Sequence, residues 1–183
     1  MDAKDSATES LTWMTWSAMG LMMGEMMNKP WIAIMAVDEA GVIGNGDKLP
    51  WKCPGDLREF SLLTTHGALV MGRKTYSTVG DLKGRPIIVV SKSPAPTSRS
   101  KTTTRWVNSV DAIPDVVDGK QPWICGGRQI YDQCLPKCRA LIVSRIEGKH
   151  EGDVLTPEFE HLFKYDATFK YGNGFTMERW VAK

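Results

Sequence analysis

From Trp31 onward the chain alternates short apolar runs with clusters of turn residues. Runs at 31–37, 68–71, 86–91, 105–107, 123–125 and 140–145 read as strands, and a closing pair falls near 167–171 and 175–181. Several are continuously apolar and β-branched, the pattern of strands covered on both faces. Between them lie helical stretches at 54–65, 73–79, 110–117 and 128–135. This alternation predicts an α/β fold: a single domain with a central, mostly parallel mixed β-sheet flanked by helices. Tyr171-Gly-Asn-Gly-Phe175 is a hairpin signal, so an antiparallel C-terminal hairpin closes the sheet.

One stretch departs from plain amphipathic patterning. Between Leu49 and Phe60 a lone acid, Asp56, sits in an apolar frame punctuated by Pro50 and Pro54. Pro54 suits the first turn of a helix, where its missing N–H costs nothing. A helix starting there stacks Asp56, Phe60 and Leu63 on one face, apolar apart from the acid. A carboxylate in such a cleft needs a partner or a changed protonation state, and it suits a nitrogen-rich ligand head. An acid in a first helical turn also has a plain structural explanation in the helix dipole. On this segment alone that explanation is the simpler one; the rest of the chain overturns it.

Composition narrows the choice of class. The 183 residues, 42% hydrophobic and 24% charged, suit one globular domain. A net charge of +2 with no dense basic stripe gives no reason to expect a nucleic-acid partner. The basic residues between Arg99 and Arg105 read as a solvated loop or strand edge. Cys53, Cys125, Cys134 and Cys138 form no C-x-x-C pair, and His66, His150 and His161 are scattered, so no metal site is expected. Thiols of this kind fit a reducing, cytoplasmic setting. No Gly-x-Ser-x-Gly elbow supports a nucleophilic triad.

Residues 1–29 differ from the body, 30–183. Their start is acidic and their continuation rich in methionine and tryptophan, interrupted by Gly20, Gly24 and Glu25. The run lacks the basic flank of a secretory signal and is too short and too polar for a membrane span. It reads as an appended extension, either a helical arm that docks or self-associates or a poorly ordered tail. A monomer is expected unless that arm pairs.

Two strand-to-helix junctions carry glycine. Ala68-Leu-Val-Met-Gly72 runs into Arg73-Lys-Thr75, and Trp123-Ile-Cys-Gly-Gly127 runs into Arg128-Gln-Ile130. Glycine lets the backbone approach a ligand, and a helix start offers free N–H groups to phosphates. The sequence lacks Gly-x-Gly-x-x-Gly, so a Rossmann site is unsupported.

Taken in order, these pieces resemble the dihydrofolate reductase family. The resemblance rests on 33–38, Val42-Ile-Gly44, Leu49-Pro-Trp51, Pro54 with Asp56-Leu57 and Phe60, Met71-Gly-Arg-Lys-Thr75, Gly84-Arg85, Cys125-Gly-Gly127, Tyr131 and Glu151-Gly-Asp153. It spans the body and leaves the N-terminal extension uncovered. It implies NADPH-dependent reduction of 7,8-dihydrofolate to tetrahydrofolate, in support of one-carbon metabolism and thymidylate synthesis. Hydride would reach pteridine C6 while N5 takes a proton. Asp56 matches the pocket acid that bonds the pteridine amidine edge and assists protonation. Trp51, Tyr131 and Ser144 join it as catalytic-site residues, Ser144 as a hydroxyl able to bond the acid. Ile32, Ile34, Leu57, Phe60, Val79, Leu82 and Cys125 match substrate walls, and Arg85 matches the fork for the glutamate carboxylate.

For the cofactor, the resemblance implies Ala36, Ile43, Gly44 and Leu49 around the nicotinamide, with Tyr131 nearby. Gly72, Arg73, Lys74 and Thr75 would meet phosphates, as would Gly126, Gly127, Arg128 and Gln129. Ser91 and Lys92 match the region reading the 2′-phosphate. Residues 44–48 match a mobile closing loop.

Three departures stand out. Ala40-Gly41 lengthens the first loop, the 79–84 segment is a residue short with Asp81 in it, and Cys125 replaces an aliphatic residue. A pyrimidine reductase of riboflavin synthesis is the nearest rival of the same fold class. The Leu-Pro-Trp and Pro-Gly-Asp-Leu segments speak against it. A retained scaffold whose arm binds a partner is the rival of a different class.

Overall fold

The computed structural model describes residues 29–95 and 104–183. The extension assigned to residues 1–29 lies outside them except for Lys29. The described elements are β1 (Trp31–Asp38), β2 (Val42–Gly44), α1 (Pro54–Thr64), β3 (Ala68–Gly72), α2 (Arg73–Val79), β4 (Ile87–Val90), β5 (Thr104–Val107), β6 (Pro122–Ile124), α3 (Arg128–Cys134), β7 (Cys138–Ile146), β8 (Val154–Leu155), β9 (Phe163–Gly172) and β10 (Phe175–Ala182).

Eight strands form one sheet in the order β5–β4–β3–β6–β1–β7–β10–β9. Neighbours from β5 through β7 pair in parallel; β10 is antiparallel to β7, and β9 antiparallel to β10. The mixed sheet and its closing hairpin are those expected from the alternating pattern. β2 and β8 make a separate two-stranded antiparallel ribbon. Strands of two and three residues are too short to leave a readable period, and the apolar pattern does not mark them.

Period-two alternation divides the central strands between two layers. Trp31, Ala33, Met35 and Val37 of β1 pack with Leu141 and Val143 of β7 and with Ile130, Tyr131 and Cys134 of α3. Ile32 and Ile34 turn to the opposite layer with Ala140, Ile142, Trp51 and Phe175, where Phe60 and Leu63 of α1 cover them. Phe60, Trp123 and Cys125 also border the cluster of Leu69, Met71, Ile87 and Val89, so this layer is continuous from β7 to β4. Among the described residues no helix is long and apolar enough to cross a membrane.

The helix expected at 110–117 does not form. Only Val110–Ala112 make a turn of 3-10 helix, and the chain then runs on irregularly to an isolated bridge between Val117 and Lys120. Pro114 cannot continue a helix and pushes Ile113 into extended backbone. Val110, Ile113 and Val117 are all buried, so their spacing marked burial in a loop.

Candidate active site

The carboxyl ends of β1, β3 and β6 lie side by side in the sheet, the place where open α/β sheets bind ligands. α1 carries Asp56 to this edge. Pro54 stands in its first turn, Cys53 supplies no side-chain cap, and Asp56 falls in that turn with 5% of its surface exposed. Burial pushes its carboxyl above the ordinary carboxylate range. The nearby Ser144 hydroxyl opposes this shift, and the Glu59 charge adds to it. Ser144 Oγ is buried without a hydrogen bond of regular geometry, as is the indole Nε1 of Trp51. Trp31 Nε1, in the opposite layer, is a third such atom, so what distinguishes Ser144 and Trp51 is their place beside Asp56 and in the apolar layer it faces.

Ile32 and Ile34 on β1, Phe60 on α1 and Cys125 after β6 form apolar walls of the same layer. Leu82 packs toward the neighbouring cluster beside Phe60 and Cys125. Leu49, Leu57 and Val79 are exposed large apolar side chains. Burial pushes the Cys125 thiol up to about 12, which keeps it a neutral wall residue.

Arg85 is half-buried, and its Nη1 donates to Thr64 Oγ1 at 2.8 Å. Thr64 is fully buried on α1, where its hydroxyl donates to the Phe60 carbonyl at 2.7 Å. The fork is thereby oriented from the helix that holds Asp56. Sequence reasoning missed Thr64, whose place near a helix end looks like ordinary capping.

Two helix starts converge on the glycine pair. Gly72 precedes α2 and Gly127 precedes α3, neither with a side-chain cap, and Gly72 N donates to the Gly126 carbonyl at 2.7 Å. The Gly126–Gly127 peptide is cis, and Gly126 has φ +99°. A Cβ at Gly126 would stand 2.9 Å from the Tyr131 ring, and one at Gly127 would stand 3.2 Å from Thr75 Oγ1. This cradle of bare backbone and free N–H groups fits a pyrophosphate, with exposed Arg73 and Lys74 beside it. Gln129 is exposed in the first turn of α3. Arg128 instead turns to Asp132, at 2.9 Å and 3.0 Å, and to the carbonyls of Leu155 and Thr156. Ser91 follows β4, half-buried, with its Oγ accepting from Ser93 N; Lys92 is exposed.

Tyr131 is buried, and its hydroxyl donates to the Ile34 carbonyl at 2.7 Å. Its phenol is held well above the usual range by burial. It braces α3 against β1 rather than presenting a free hydroxyl.

Ala36 and Ile43 are half-buried, and Gly44 is buried in register with Val154. The loop after β2 closes on itself through Asn45 and Lys48. It is tied outward three times: Asn45 Nδ2 to the Glu151 carbonyl at 3.1 Å, Gly46 N to Asp153 Oδ1 at 2.7 Å, and Thr78 Oγ1 to the Asp47 carbonyl at 2.6 Å. Thr78 and Asp153 were not foreseen in this role. Asp153 lies in the Glu151-Gly-Asp153 stretch, which is a signal that could have found it.

Comparison with known proteins agrees with this architecture. The family model described as dihydrofolate reductase matches residues 31–173. Dihydrofolate reductase of Mycoplasma pneumoniae is 35% identical over 127 residues, covering 66% of this chain and 79% of that protein. The Bacillus subtilis enzyme is 33% identical over 129 residues, covering 69% and 75%. A solved structure of dihydrofolate reductase from Enterococcus faecalis, complexed with NADP(H) and RAB-propyl, superimposes with a TM-score of 0.74 at 28% identity, covering 84% of this chain and 97% of that one. The match runs from β1 to the end of β9 and takes in the helix bearing Asp56 and the glycine cradle, and the chain belongs to the dihydrofolate reductase family.

Proposed function

We propose that the chain reduces 7,8-dihydrofolate to 5,6,7,8-tetrahydrofolate, the reaction of its family, with Asp56 as the group that grips the pteridine and governs its protonation. NADPH, when bound, supplies the hydride taken up at pteridine C6. The observation that carries the reading is a buried carboxyl of raised pKa beside the Ser144 hydroxyl, set against apolar walls that include Trp51. A carboxylate accepts from an amidine-like edge in bidentate fashion, which orients the ring. The raised pKa also makes this carboxyl easier to protonate than an ordinary one, which suits a group assisting proton delivery to N5. Ser144 Oγ and Trp51 Nε1 extend the polar lining around it.

Ile32, Ile34, Leu57, Phe60, Val79, Leu82 and Cys125 enclose the pteridine and benzoyl rings and exclude water. Arg85, held by Thr64, presents its planar fork to the glutamate carboxylate. Ala36, Ile43, Gly44 and Leu49 border the nicotinamide, and Tyr131 fixes the strand beneath it. Gly72, Arg73, Lys74, Thr75, Gly126, Gly127, Arg128 and Gln129 form the phosphate cradle, Arg128 and Gln129 through the start of α3. Ser91 and Lys92 serve the 2′-phosphate. The chain works in the cytoplasm as a monomer of one catalytic domain, residues 30–183, with 1–29 as an appended arm.

The test is oxidation of NADPH, followed by absorbance, with dihydrofolate present. Asp56→Asn keeps the shape of the side chain and removes its proton chemistry. Its turnover should fall by roughly 10²–10⁴ with NADPH affinity retained. Near-normal turnover of the variant would show that Asp56 neither grips nor protonates the pteridine. A folded parent that leaves NADPH unoxidised would overturn the reaction itself.

A further inference from the structure

The end of β1 carries a second buried acid that the reaction does not use. Asp38, 4% exposed, accepts from the N–H groups of Ala40 at 2.9 Å and Val42 at 2.8 Å through Oδ1. Its Oδ2 accepts from the His150 main-chain N–H at 2.6 Å and lies 3.2 Å from the His150 ring Nδ1. The imidazole in turn stands edge-on to Trp51, with ring centroids 5.5 Å apart and planes at 65°. Trp51 is 9% exposed and packs with Ile32 and Ile34 in the candidate pocket. A continuous line of contact therefore runs from the sheet, through a fixed carboxylate and an imidazole, to a pocket side chain.

We infer that His150 is a positioning residue that sets the orientation of Trp51, and that its protonation state alters that orientation. The inference rests on the placement of Trp51 in the substrate pocket proposed above. Asp38 supplies the fixed point: four donors hold it, three of them main-chain N–H groups, so it stays put while the ring responds. A carboxylate at Nδ1 selects the tautomer with its proton there. A second proton on the ring turns that hydrogen bond into an ion pair and changes the charge presented to the indole. The titratable and charged groups of the segments that meet here are Asp38 at the end of β1, Glu39 in the following turn, Lys52 next to Trp51, Asp56 of the same pocket, and Glu147, Lys149, Glu151 and Asp153 of the loop that carries His150. Asp38 is the one in contact with the imidazole among the described residues. The same loop holds residues 44–48 through the Glu151 carbonyl and Asp153, so a shift of His150 reaches both sides of the pocket.

Fluorine NMR of the full chain labelled with 5-fluorotryptophan reads this directly. The Trp51 signal is assigned by its loss in Trp51→Phe. In the parent it should move across a pH series that protonates the imidazole. His150→Gln retains a side chain able to donate to Asp38 and cannot titrate, so its Trp51 signal should lose the component due to His150 and keep only what Asp56 of the same pocket contributes. In His150→Ala the KM for dihydrofolate should rise roughly 2- to 10-fold at pH 7, the worth of one edge-on aromatic contact, with kcat less affected. His150→Gln should recover part of that loss. A Trp51 signal that does not titrate in the parent, or titrates equally in His150→Gln, overturns the inference. The spectra need no turnover, so an inactive parent would sink the reductase reading and leave this one standing.

Discussion

Replacing Gly126 by alanine would test why the glycine cradle has its composition. Two costs meet at this position. The backbone has φ +99°, a conformation that side chains rarely adopt, and holding a non-glycine residue in such a region costs about 1–3 kcal/mol. The added Cβ would also stand 2.9 Å from Tyr131 Cε2 and 3.1 Å from both Cζ and Oη. That ring cannot simply swing away. It is 5% exposed, packs in the main core, and its hydroxyl donates to the Ile34 carbonyl at 2.7 Å. Overpacking of this kind costs about 1–3 kcal/mol. The expected destabilisation is thus on the order of 2–6 kcal/mol, or a fall in Tm on the order of 10 °C for a chain of this size.

Gly46→Ala is the matched control. Its φ is +62° and nothing lies within 4 Å of the added Cβ, so strain acts there without overlap. It should cost about 1–2 kcal/mol. Thermal and urea melts give both values, and a lower urea midpoint with an unchanged slope marks a loss of stability rather than a changed unfolded state. Tyr131→Leu removes the obstructing ring, so the double variant with Gly126→Ala should lose at least about 1 kcal/mol less than the two single losses together. Additivity within about 0.5 kcal/mol, or a Gly126→Ala loss no greater than that of Gly46→Ala, would refute the steric account.

Asp56→Asn should stabilise the ligand-free protein at neutral pH while it disables turnover. The folded-state pKa is raised, first by burial, so the folded chain holds this proton more tightly than the unfolded chain and loses stability as pH rises through that shifted value. The gain should be present near pH 7 and should shrink in acid, as read from Tm against pH; a lower Tm at neutral pH would contradict it. Asp38 has the opposite sign. Its main-chain donors and His150 outweigh the opposing effect of burial and lower its pKa, so its contribution is present above the ordinary carboxylate range and is lost as pH falls through the depressed value. Asp38→Asn should cost about 2–3 kcal/mol at pH 7 by urea titration, and an unchanged midpoint would discount the four-donor acceptor. Thr64→Val leaves Arg85 without its 2.8 Å partner and should raise KM for dihydrofolate roughly 2- to 10-fold at nearly constant kcat. A drop in kcat with KM unchanged would place Arg85 elsewhere than at the substrate tail.

What could be read from the sequence follows from how local each feature is. The strand at 31–37 was legible because it is covered on both faces, which forces a continuous apolar run. The stacking of Asp56, Phe60 and Leu63 was legible because helical spacing is local, and α1 does turn those residues inward. The stretch at 110–117 misled for the same reason: Val110, Ile113 and Val117 have helical spacing, yet Pro114 intervenes and burial alone accounts for them. The roles of Arg85 and of the glycine pair came from family resemblance rather than from pattern. Thr64 and Arg85 lie 21 positions apart and meet because β3 and β4 pair in parallel. Asp38 and His150 lie 112 apart and meet because β1 and β7 pair along their whole length, with Asp38 opposite Ile146. No window of sequence holds both members of such a pair.

The same topology explains why one small sheet can serve two ligands. Hydride transfer needs donor and acceptor carbons in contact, with water kept out, so the two binding sites must share a wall. β1, β6 and β3 are adjacent and parallel, and their carboxyl ends lie at one edge. α1 covers one layer of that edge with Asp56 and Phe60, while α3 covers the other with its glycine-led start. Cys125 and Gly126 are consecutive, yet the first borders the Phe60 layer and the second abuts Tyr131 of the α3 layer. A single peptide between them separates the proposed pteridine wall from the proposed phosphate cradle. A change of volume at Cys125 should therefore be felt on both sides: Cys125→Phe should raise KM for dihydrofolate and for NADPH together in steady-state assays. An effect confined to dihydrofolate would mean that the two sites are mechanically independent.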